Sequence, residues 1–306
     1  MDFVSLHTHT TYSTGDGYGT VAQHISRVKE LGMTAVALTE HGNVSSWVAL
    51  EQECNAQGIK PIFGLEGYFA PPDEKRKFHM TLLTMNQVGL QNLNRIVTES
   101  WKTLGTTSKS KFPTINWPVL KEFNEGIIAL SGCADSHLAC LLLGGKSYGD
   151  KRMELRNGDF QNAIRTVQKY QQVFGDRYYL EVQRFPGLER TCVLNQTLAK
   201  ISDVTGALLA ATADVHYPFP TDNEMQKILH AAHRGSTVEI TEANWEYDIL
   251  LTYPTSDTQV ELDLEKTFGN HPRADMLAIS AVLETKTIAE RCNVVLPKAP
   301  PVRYIP

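Results

Sequence analysis

The stretch Ser5-Leu6-His7-Thr8-His9-Thr10 is the starting point for predicting the fold. It follows the short apolar run Phe3-Val4, which indicates a buried strand. Residues i and i+2 of a strand point to the same side, so an extended segment would direct both imidazoles at one point. Converging imidazoles suit a metal ion. The pair alone does not define a site, and its meaning depends on what else the chain brings to that point.

The bulk composition is that of a soluble globular protein. The chain has 306 residues, 42% hydrophobic and 21% charged, enough for one large α/β barrel or two smaller domains. Its net charge of −5 excludes a global basic field, so any contact with nucleic acid must be local or be screened by bound cations. The five cysteines form no C-x-x-C pair, which favours the reducing cytoplasm. No apolar run approaches the roughly 18 residues of a membrane span, and no signal peptide is evident.

Apolar segments of strand length alternate with helical patterns along most of the chain. The predicted strands cover residues 2–7, 34–39, 60–68, 78–85, 126–131, 178–183 and 207–213. Regular alternation predicts a parallel sheet covered by helices, and seven strands predict a closed or nearly closed barrel. After Tyr217 the pattern becomes helical. We therefore predict a barrel core over 1–220, a helical extension over 221–296 and a Pro-rich tail or linker over 297–306.

Metal-ligand residue types recur where the predicted strands end. They are His7, His9, Asp16 in the first loop, His41, Glu66, His79, Cys133, Asp214 and His216. The active sites of parallel barrels lie at the carboxyl ends of their strands, so we expect these groups to converge. The other five histidines lie in predicted helices or loops, where we expect ordinary structural roles: His24, His137, His230, His233 and His271.

Nine donors are too many for one ion, because zinc takes about four ligands. With one bridging carboxylate they would serve three ions. Clustered cations suit phosphoester hydrolysis, because they activate a bridging water and neutralise the charge on phosphoryl oxygens. Such ions would also let an acidic protein act on a polyanion. One thiolate and five imidazoles fit Zn²⁺, while the carboxylates also admit Mn²⁺ or Fe²⁺.

Several motifs together resemble a known family. They are His7-Thr8-His9, Leu38-Thr39-Glu40-His41-Gly42-Asn43, Gly64-Leu65-Glu66-Gly67-Tyr68, Phe78-His79-Met80-Thr81-Leu82-Leu83, Ala129-Leu130-Ser131-Gly132-Cys133 and Ala211-Thr212-Ala213-Asp214-Val215-His216-Tyr217. This set is similar to the PHP (polymerase and histidinol phosphatase) domain, in the form found at the N-terminus of bacterial C-family DNA polymerase III α subunits. The resemblance covers nearly the whole chain.

The resemblance implies an α/β fold, a distorted (β/α)7 TIM-like barrel with a trinuclear metal site. One ion would bind His7, His9, Glu66 and Asp214, a second Asp16, His41 and His216, and a third His79 and Cys133, with Glu66 bridging. Glu40 stands where the family usually has Asp, and we expect it to orient His41 or a water. The implied activity is removal of nucleotides from DNA 3′ ends, single-stranded or at a primer terminus, alongside a polymerase or another replisome subunit. No segment resembles the paired catalytic aspartates of a polymerase palm.

Two alternative functions stay open. The chain could be a non-catalytic module that stabilises or recruits a polymerase, its metal site a structural element. It could also be a small-molecule phosphatase of the histidinol-phosphate type. Arg184 is a candidate for phosphate binding, although an ordinary salt bridge is equally compatible with its position. Among the tryptophans, Trp117 in a Pro-flanked loop is a candidate for base stacking, Trp47 and Trp101 are expected in the core, and Trp245 is a further possibility.

Overall fold

The computed structural model describes residues 1–72, 76–105, 111–143, 157–242 and 249–298, and within them one sheet and its surrounding helices. The strands are β1 (Ala35–Leu38), β2 (Lys60–Ala70), β3 (Phe78–Thr84), β4 (Thr114–Asn116), β5 (Ile127–Leu130), β6 (Tyr178–Gln183) and β7 (Leu209–Thr212). The helices are α1 (Val21–Glu30), α2 (Trp47–Gln57), α3 (Gln87–Trp101), α4 (Trp117–Glu122), α5 (His137–Leu143), α6 (Asn157–Phe174), α7 (Glu189–Thr205), α8 (Asn223–Arg234), α9 (Val238–Glu242), α10 (Asp257–Phe268) and α11 (Ala274–Arg291).

The sheet is mixed rather than wholly parallel, so that part of the prediction was wrong. Its order is β1-β2-β3-β5-β6-β7, and β3 runs antiparallel to both β2 and β5 while the other neighbours are parallel. A parallel pair needs a long crossover, and the few residues between Ala70 and Phe78 are too short for one. β4 pairs with the far end of β2 and is not among the strands predicted from the sequence.

The segment that contains His7 and His9 joins the two edges of the sheet. Ser5 bridges Val36 of β1, and Thr8 bridges Val215 just after β7. The amide of Ala37 donates to the Ser5 carbonyl (2.8 Å), and the amide of His9 donates to the Val215 carbonyl (2.7 Å). The segment thus closes the curved sheet into a distorted barrel, as predicted, although its pairing is too irregular for a continuous strand.

The barrel interior is apolar at one end. Its buried side chains include Leu6, Ile62, Leu83, Leu130, Tyr179 and Ala210. The end of α11 packs against them with Ile288, Ala289 and Cys292. This helix closes the bottom of the barrel, so the helical C-terminal part contributes directly to the core.

The other end of the interior is polar, because the inward-facing residues of each strand change from apolar to polar towards that end. Residues two apart in a strand share a face. Going from the apolar end of the interior to the polar end, Tyr179 is succeeded by Glu181 and Ala210 by Thr212. In β3, which runs in the opposite direction, Leu83 is succeeded by Thr81. All three polar residues are buried. The proposed boundary near residue 220 stays a prediction, and residues 299–306 of the predicted tail lie outside the described part of the chain. None of the described helices is both long and apolar enough to cross a membrane.

Candidate metal centre

The carboxylate of Glu66 lies at the centre of the polar end. Its oxygens lie 3.2 Å from His7 Nε2, 3.4 Å from His9 Nε2 and 2.7 Å from His41 Nδ1. His79 Nδ1 lies 3.1 Å away on another side. The expected convergence is present, although neither Glu66 nor His79 ends its strand. Glu66 lies within β2. His79 lies near the start of β3, and the antiparallel direction of β3 brings that start to the polar end of the barrel, which we call the mouth.

A second group of ligand-type side chains surrounds Asp16. Its Oδ2 atom lies 2.6 Å from His41 Nε2 and 3.2 Å from His216 Nε2. Its Oδ1 atom lies 2.5 Å from Nε2 of His230 on α8. An ordinary structural role was expected for His230, yet it contacts the site. A histidine on a helix that follows the last ligand motif carries little sequence signal, because nothing in its spacing shows which way the helix packs.

Cys133 lies beside His79 and Glu66. Its Sγ atom is 3.6 Å from His79 Nδ1 and 3.6 Å from Glu66 Oε1. Gly132 makes this possible with a φ of 92°, and a Cβ there would lie 2.4 Å from the His79 carbonyl oxygen. Burial raises the pKa of the Cys133 thiol well above its ordinary value, and the Glu66 carboxylate adds to the effect. A thiol in this setting is a poor nucleophile without a cation beside it.

Asp214 adopts a strained backbone to reach the same space. Its φ of 44° is the single positive value among described non-glycine residues, and this region is costly for a side chain with a Cβ. Its Oδ1 lies 3.4 Å from His7 Nε2 and 3.6 Å from His216 Nδ1. The Gln183 side-chain amide donates to Oδ2 (3.0 Å). Strain of this kind persists where the surroundings hold it, typically at functional sites.

The imidazoles differ in their charge preference because they face different neighbours. Burial disfavours the charged form of His7, but Asp214, Glu181 and Glu66 together raise its pKa well above the usual range. For His216, burial is likewise outweighed by Asp16 and Asp214, which raise its pKa to about 9. Burial, with His41 and His216 nearby, lowers the pKa of His9 well below its ordinary value. The site therefore places an imidazole that favours the neutral form next to imidazoles that favour the protonated form.

The donor set fits bound cations. Among the described residues, two buried ring nitrogens that face Glu66 have no hydrogen bond, His7 Nε2 and His9 Nε2. Unpaired buried nitrogens are costly, and a metal would satisfy them. Three overlapping triads each have ligand atoms within 4.8 Å of one another: His9-His41-His216, His7-His9-Glu66 and His41-Glu66-His79.

Glu181 contacts His7 on the side of its ring opposite Glu66, and it is not among the residues predicted from the sequence. Its Oε1 lies 2.8 Å from His7 Nδ1 and accepts a hydrogen bond of 2.8 Å from the Thr212 hydroxyl. A ring whose Nδ1–H donates to a carboxylate presents the Nε2 lone pair to a metal. The available signal was a glutamate inside an apolar strand covered on both faces, where an unpaired carboxylate is rare.

Glu40 contacts His9 indirectly, through Ser13, rather than His41 through its own carboxylate. The Ser13 hydroxyl donates to Glu40 (2.6 Å) and lies 2.9 Å from His9 Nδ1. Ser13 has one hydroxyl proton and gives it to Glu40, so its oxygen must accept from His9 Nδ1–H. The same oxygen accepts from the backbone amide of His41 (3.1 Å). His9, like His7, thereby presents its Nε2 lone pair to the centre.

Arg184 points its guanidinium at another residue of the chain. Its Nη2 and Nε atoms lie 2.7 Å and 3.1 Å from one oxygen of Asp263 on α10. This buried pair corresponds to the salt-bridge alternative, and phosphate binding by Arg184 stays an untested prediction. Trp47 is buried as expected, whereas Trp101 is 48% exposed. Trp117 begins α4 rather than lying in a loop, and Trp245 lies outside the described residues.

The closed barrel and its ring of imidazoles, carboxylates and one thiol define a class of α/β protein with a metal-type cluster at one mouth. Residues 5–185 match the family described as "PHP domain", and the chain belongs to that family. DNA polymerase III subunit alpha of Helicobacter pylori (strain ATCC 700392 / 26695) is 31% identical over 300 residues, which cover 95% of this chain and 23% of that protein. The same subunit of Treponema pallidum (strain Nichols) is 30% identical over 314 residues, covering 99% of this chain and 24% of the relative.

The chain thus spans about a quarter of the length of these relatives. Among solved structures, histidinol phosphate phosphatase from Lactococcus lactis, in complex with zinc, L-histidinol and phosphate, aligns with a TM-score of 0.41 at 12% identity. That alignment covers 78% of this chain and 94% of the phosphatase.

Proposed function

We propose that this protein is a metal-dependent phosphoesterase. The observation that supports this most strongly is the set of overlapping ligand triads beside Glu66, together with the ring nitrogens His7 Nε2 and His9 Nε2, which face it without a hydrogen bond. Three divalent ions would be held by the nine residues predicted from the sequence, with Zn²⁺ the best match to the imidazoles and thiolate and with Mn²⁺ or Fe²⁺ as alternatives. Bound cations of this kind polarise a phosphoester and lower the pKa of water.

The chain's own residues have a positioning role in this proposal. Glu181 fixes the ring of His7, and the Glu40–Ser13 pair fixes the ring of His9, each by engaging Nδ1. Gln183 restrains Asp214, and His230 restrains Asp16. Cys133 serves as a ligand rather than a nucleophile, because burial and Glu66 raise its pKa, and the imidazole beside it, His79, directs the same Nδ1 at Glu66.

The proposed substrate is the 3′ end of DNA, single-stranded or at a primer terminus, in a proofreading type of 3′–5′ exonuclease. Support comes from the similarity along nearly the whole chain to DNA polymerase III α subunits. We also propose that the protein works beside or as part of a replicative polymerase, in the cytoplasm. Cations at the mouth would let a chain of net charge −5 approach a polyanion.

A nuclease assay with defined metals tests the proposal. Demetallated protein is reloaded with Zn²⁺, Mn²⁺ or Fe²⁺ and given 5′-labelled oligonucleotides, alone or annealed as primers. A ladder that shortens from the 3′ end is expected. His9→Ala should abolish it, because the variant removes a ligand shared by two triads. His271→Ala, which removes a histidine paired with Asp203 outside the cluster, is the matched control and should retain activity.

Parallel reactions with p-nitrophenyl phosphate and a histidinol-type monoester separate the substrate classes. If the protein cleaves the monoesters and leaves the oligonucleotides intact, the proposed function changes from a nuclease to a small-molecule phosphatase. If the loaded protein hydrolyses neither substrate, the phosphoesterase proposal fails.

A further inference from the structure

The antiparallel ribbon of β2 and β3 has two faces, one towards the metal-type cluster and one away from it. Tyr68 pairs with His79 and Phe69 pairs with Phe78, and successive residues face opposite sides. The ring of Tyr68 lies 5.4 Å from that of His79, on the cluster side. Phe69 and Phe78 point the other way, towards groups that the proposed phosphoesterase chemistry does not use.

A cavity of about 340 Å³ opens on this second face. Its edge is formed by Pro71 and Pro72, directly after β2, and one wall is a face of α6. Trp117, His137 and Tyr170 form an aromatic wall. Phe69 lies 6.0 Å behind Trp117, and Phe78 lies 5.0 Å behind His137, measured between ring centres. The volume is within the range of small-molecule sites.

Among the described residues that line the cavity, the two with formally charged side chains are both cations, Arg165 and Lys169. They stand four residues apart on α6, which places them on the same face of the helix. Asn162 lies one turn earlier on that face and accepts a hydrogen bond from Arg165. No carboxylate is among the described lining residues, although the whole chain has a net charge of −5. The described lining is therefore positively charged, which suits an anion.

The aromatic wall gives the cavity a flat apolar surface next to its cations. The Lys169 ammonium lies 4.9 Å from the centre of the Trp117 ring, a cation–π distance. The Trp117 and Tyr170 rings lie 5.6 Å apart, and the Tyr170 hydroxyl lies 3.0 Å from His137 Nδ1. Two cations beside packed aromatic rings match a ligand that has both a phosphate and a flat ring.

We propose that this cavity binds a nucleotide, with its phosphate at Arg165 and Lys169 and its base taking the place over Trp117 that the Lys169 ammonium now occupies. The site lies on the opposite face of the ribbon from the cluster, so it goes beyond the phosphoesterase centre and does not depend on metal. A free nucleoside monophosphate and a nucleotide within a DNA strand share this chemistry.

Binding to the metal-free full chain tests the site. Calorimetry measures the affinity for dAMP, deoxyadenosine and inorganic phosphate. Fluorescence anisotropy measures the affinity for a labelled (dT)10. The variant Arg165→Glu/Lys169→Glu should weaken nucleotide binding at least roughly tenfold, because two charge-assisted contacts become repulsive. The control Lys200→Glu/Lys266→Glu makes the same charge change at exposed positions of α7 and α10 and should change binding less than about twofold.

A second variant tests the aromatic part separately. Trp117→Leu should weaken dAMP more than phosphate, and circular dichroism checks that it folds. Tighter binding of (dT)10 than of dAMP identifies a strand site, and the reverse identifies a site for free nucleotide. The proposal is overturned if the charge-reversed variant binds like wild type, if phosphate alone binds as tightly as dAMP, or if wild type binds neither nucleotide probe at about 1 mM. Because metal is absent and hydrolysis is not measured, these outcomes are independent of the fate of the phosphoesterase proposal.

Discussion

The two ends of the barrel interior are built from inward-facing residues of the same strands, but their burial has opposite effects on the stability of the fold. At the closed end, Leu130, Tyr179 and Ile288 are buried among other apolar side chains. At the mouth, Glu66, Glu181 and His7 are equally buried but charged or polar. Apolar burial lowers the free energy of the folded state, whereas buried ionisable groups raise it unless a partner compensates. The closed end therefore stabilises the fold, whereas the mouth costs stability and carries the groups of the proposed chemistry.

The strongest test of this contrast is Glu66→Gln, which removes the central charge of the mouth with little change in volume. We expect activity to fall roughly a thousandfold or more and metal content to fall with it, because two of the three triads lose the carboxylate that they share. Nuclease rates and elemental analysis measure this, and circular dichroism should show an intact fold. Glu122→Gln, on an exposed position of α4, is the matched control. Full metal content in Glu66→Gln would contradict the assignment.

The complementary change is Leu130→Ala at the closed end. Leu130 is fully buried in the barrel interior, so its truncation leaves a cavity and should cost about 3 kcal/mol of unfolding free energy. Metal stoichiometry and the rate per folded molecule should stay near wild type. Urea unfolding gives the first quantity and elemental analysis the second. A stable Leu130→Ala protein that loses its metal would show that the two ends are not separable in this way.

The sequence was most informative where period and residue type agreed. The pair Thr20 and Gln23, three residues apart, has the sequence signature of a capping box and begins α1, and six predicted strands appear within a few residues of their expected bounds. The direction of β3 was not predictable from its own pattern, because an apolar strand has the same period in either direction. It depends on the length of the connection before it.

The convergence of the ligand-type residues followed from motifs, but their supporting groups did not. Glu181 and Ser13 act across long sequence separations or inside a turn, and hydrogen-bond partners of that kind have no period. His230 depends on how α8 packs against the first loop, which is a tertiary property. A sequence therefore indicates residues that recur at strand ends more readily than the groups that orient them.

A third test concerns His24, which is buried behind the mouth. Its Nε2 lies 2.9 Å from the Tyr18 carbonyl and its Nδ1 2.9 Å from the Tyr253 hydroxyl. The carbonyl can only accept, so Nε2 carries the proton and Nδ1 accepts from Tyr253. Burial lowers the pKa of His24 to about 4, so the folded state holds it neutral. As pH falls below about 6.5 the unfolded chain binds a proton first, and stability is lost progressively towards pH 4.

We therefore expect metal-free wild type to lose about 2 kcal/mol more than His24→Gln between pH 7 and pH 5, measured by urea unfolding at each pH. The comparison removes contributions from groups that titrate equally in both proteins. Equal losses in the two proteins would mean that His24 does not resist protonation in the folded state.

The smallest expected effect comes from Ser13→Ala, which removes the acceptor of His9 Nδ1–H and leaves every proposed ligand in place. His9 is then free to adopt the other tautomer, so metal affinity should fall at least about tenfold. Competition with a chelator measures the affinity. Nitrogen NMR of the metal-free protein reports the tautomer directly, because burial and the neighbouring His41 and His216 lower the pKa of His9 and keep it neutral near pH 7.

Ser46→Ala is the matched control for this change. Ser46 is buried, and its hydroxyl has no hydrogen-bond partner among the described residues, so its removal should leave affinity and tautomer unchanged. If Ser13→Ala keeps both the wild-type tautomer and the wild-type affinity, the Glu40–Ser13 pair does not orient His9. The mouth would then rely on its ligands alone, and the buried carboxylate of Glu40 would serve only to anchor Thr10 and Ser13. A changed tautomer with unchanged affinity would instead show that metal binding is strong enough to select the ring form by itself.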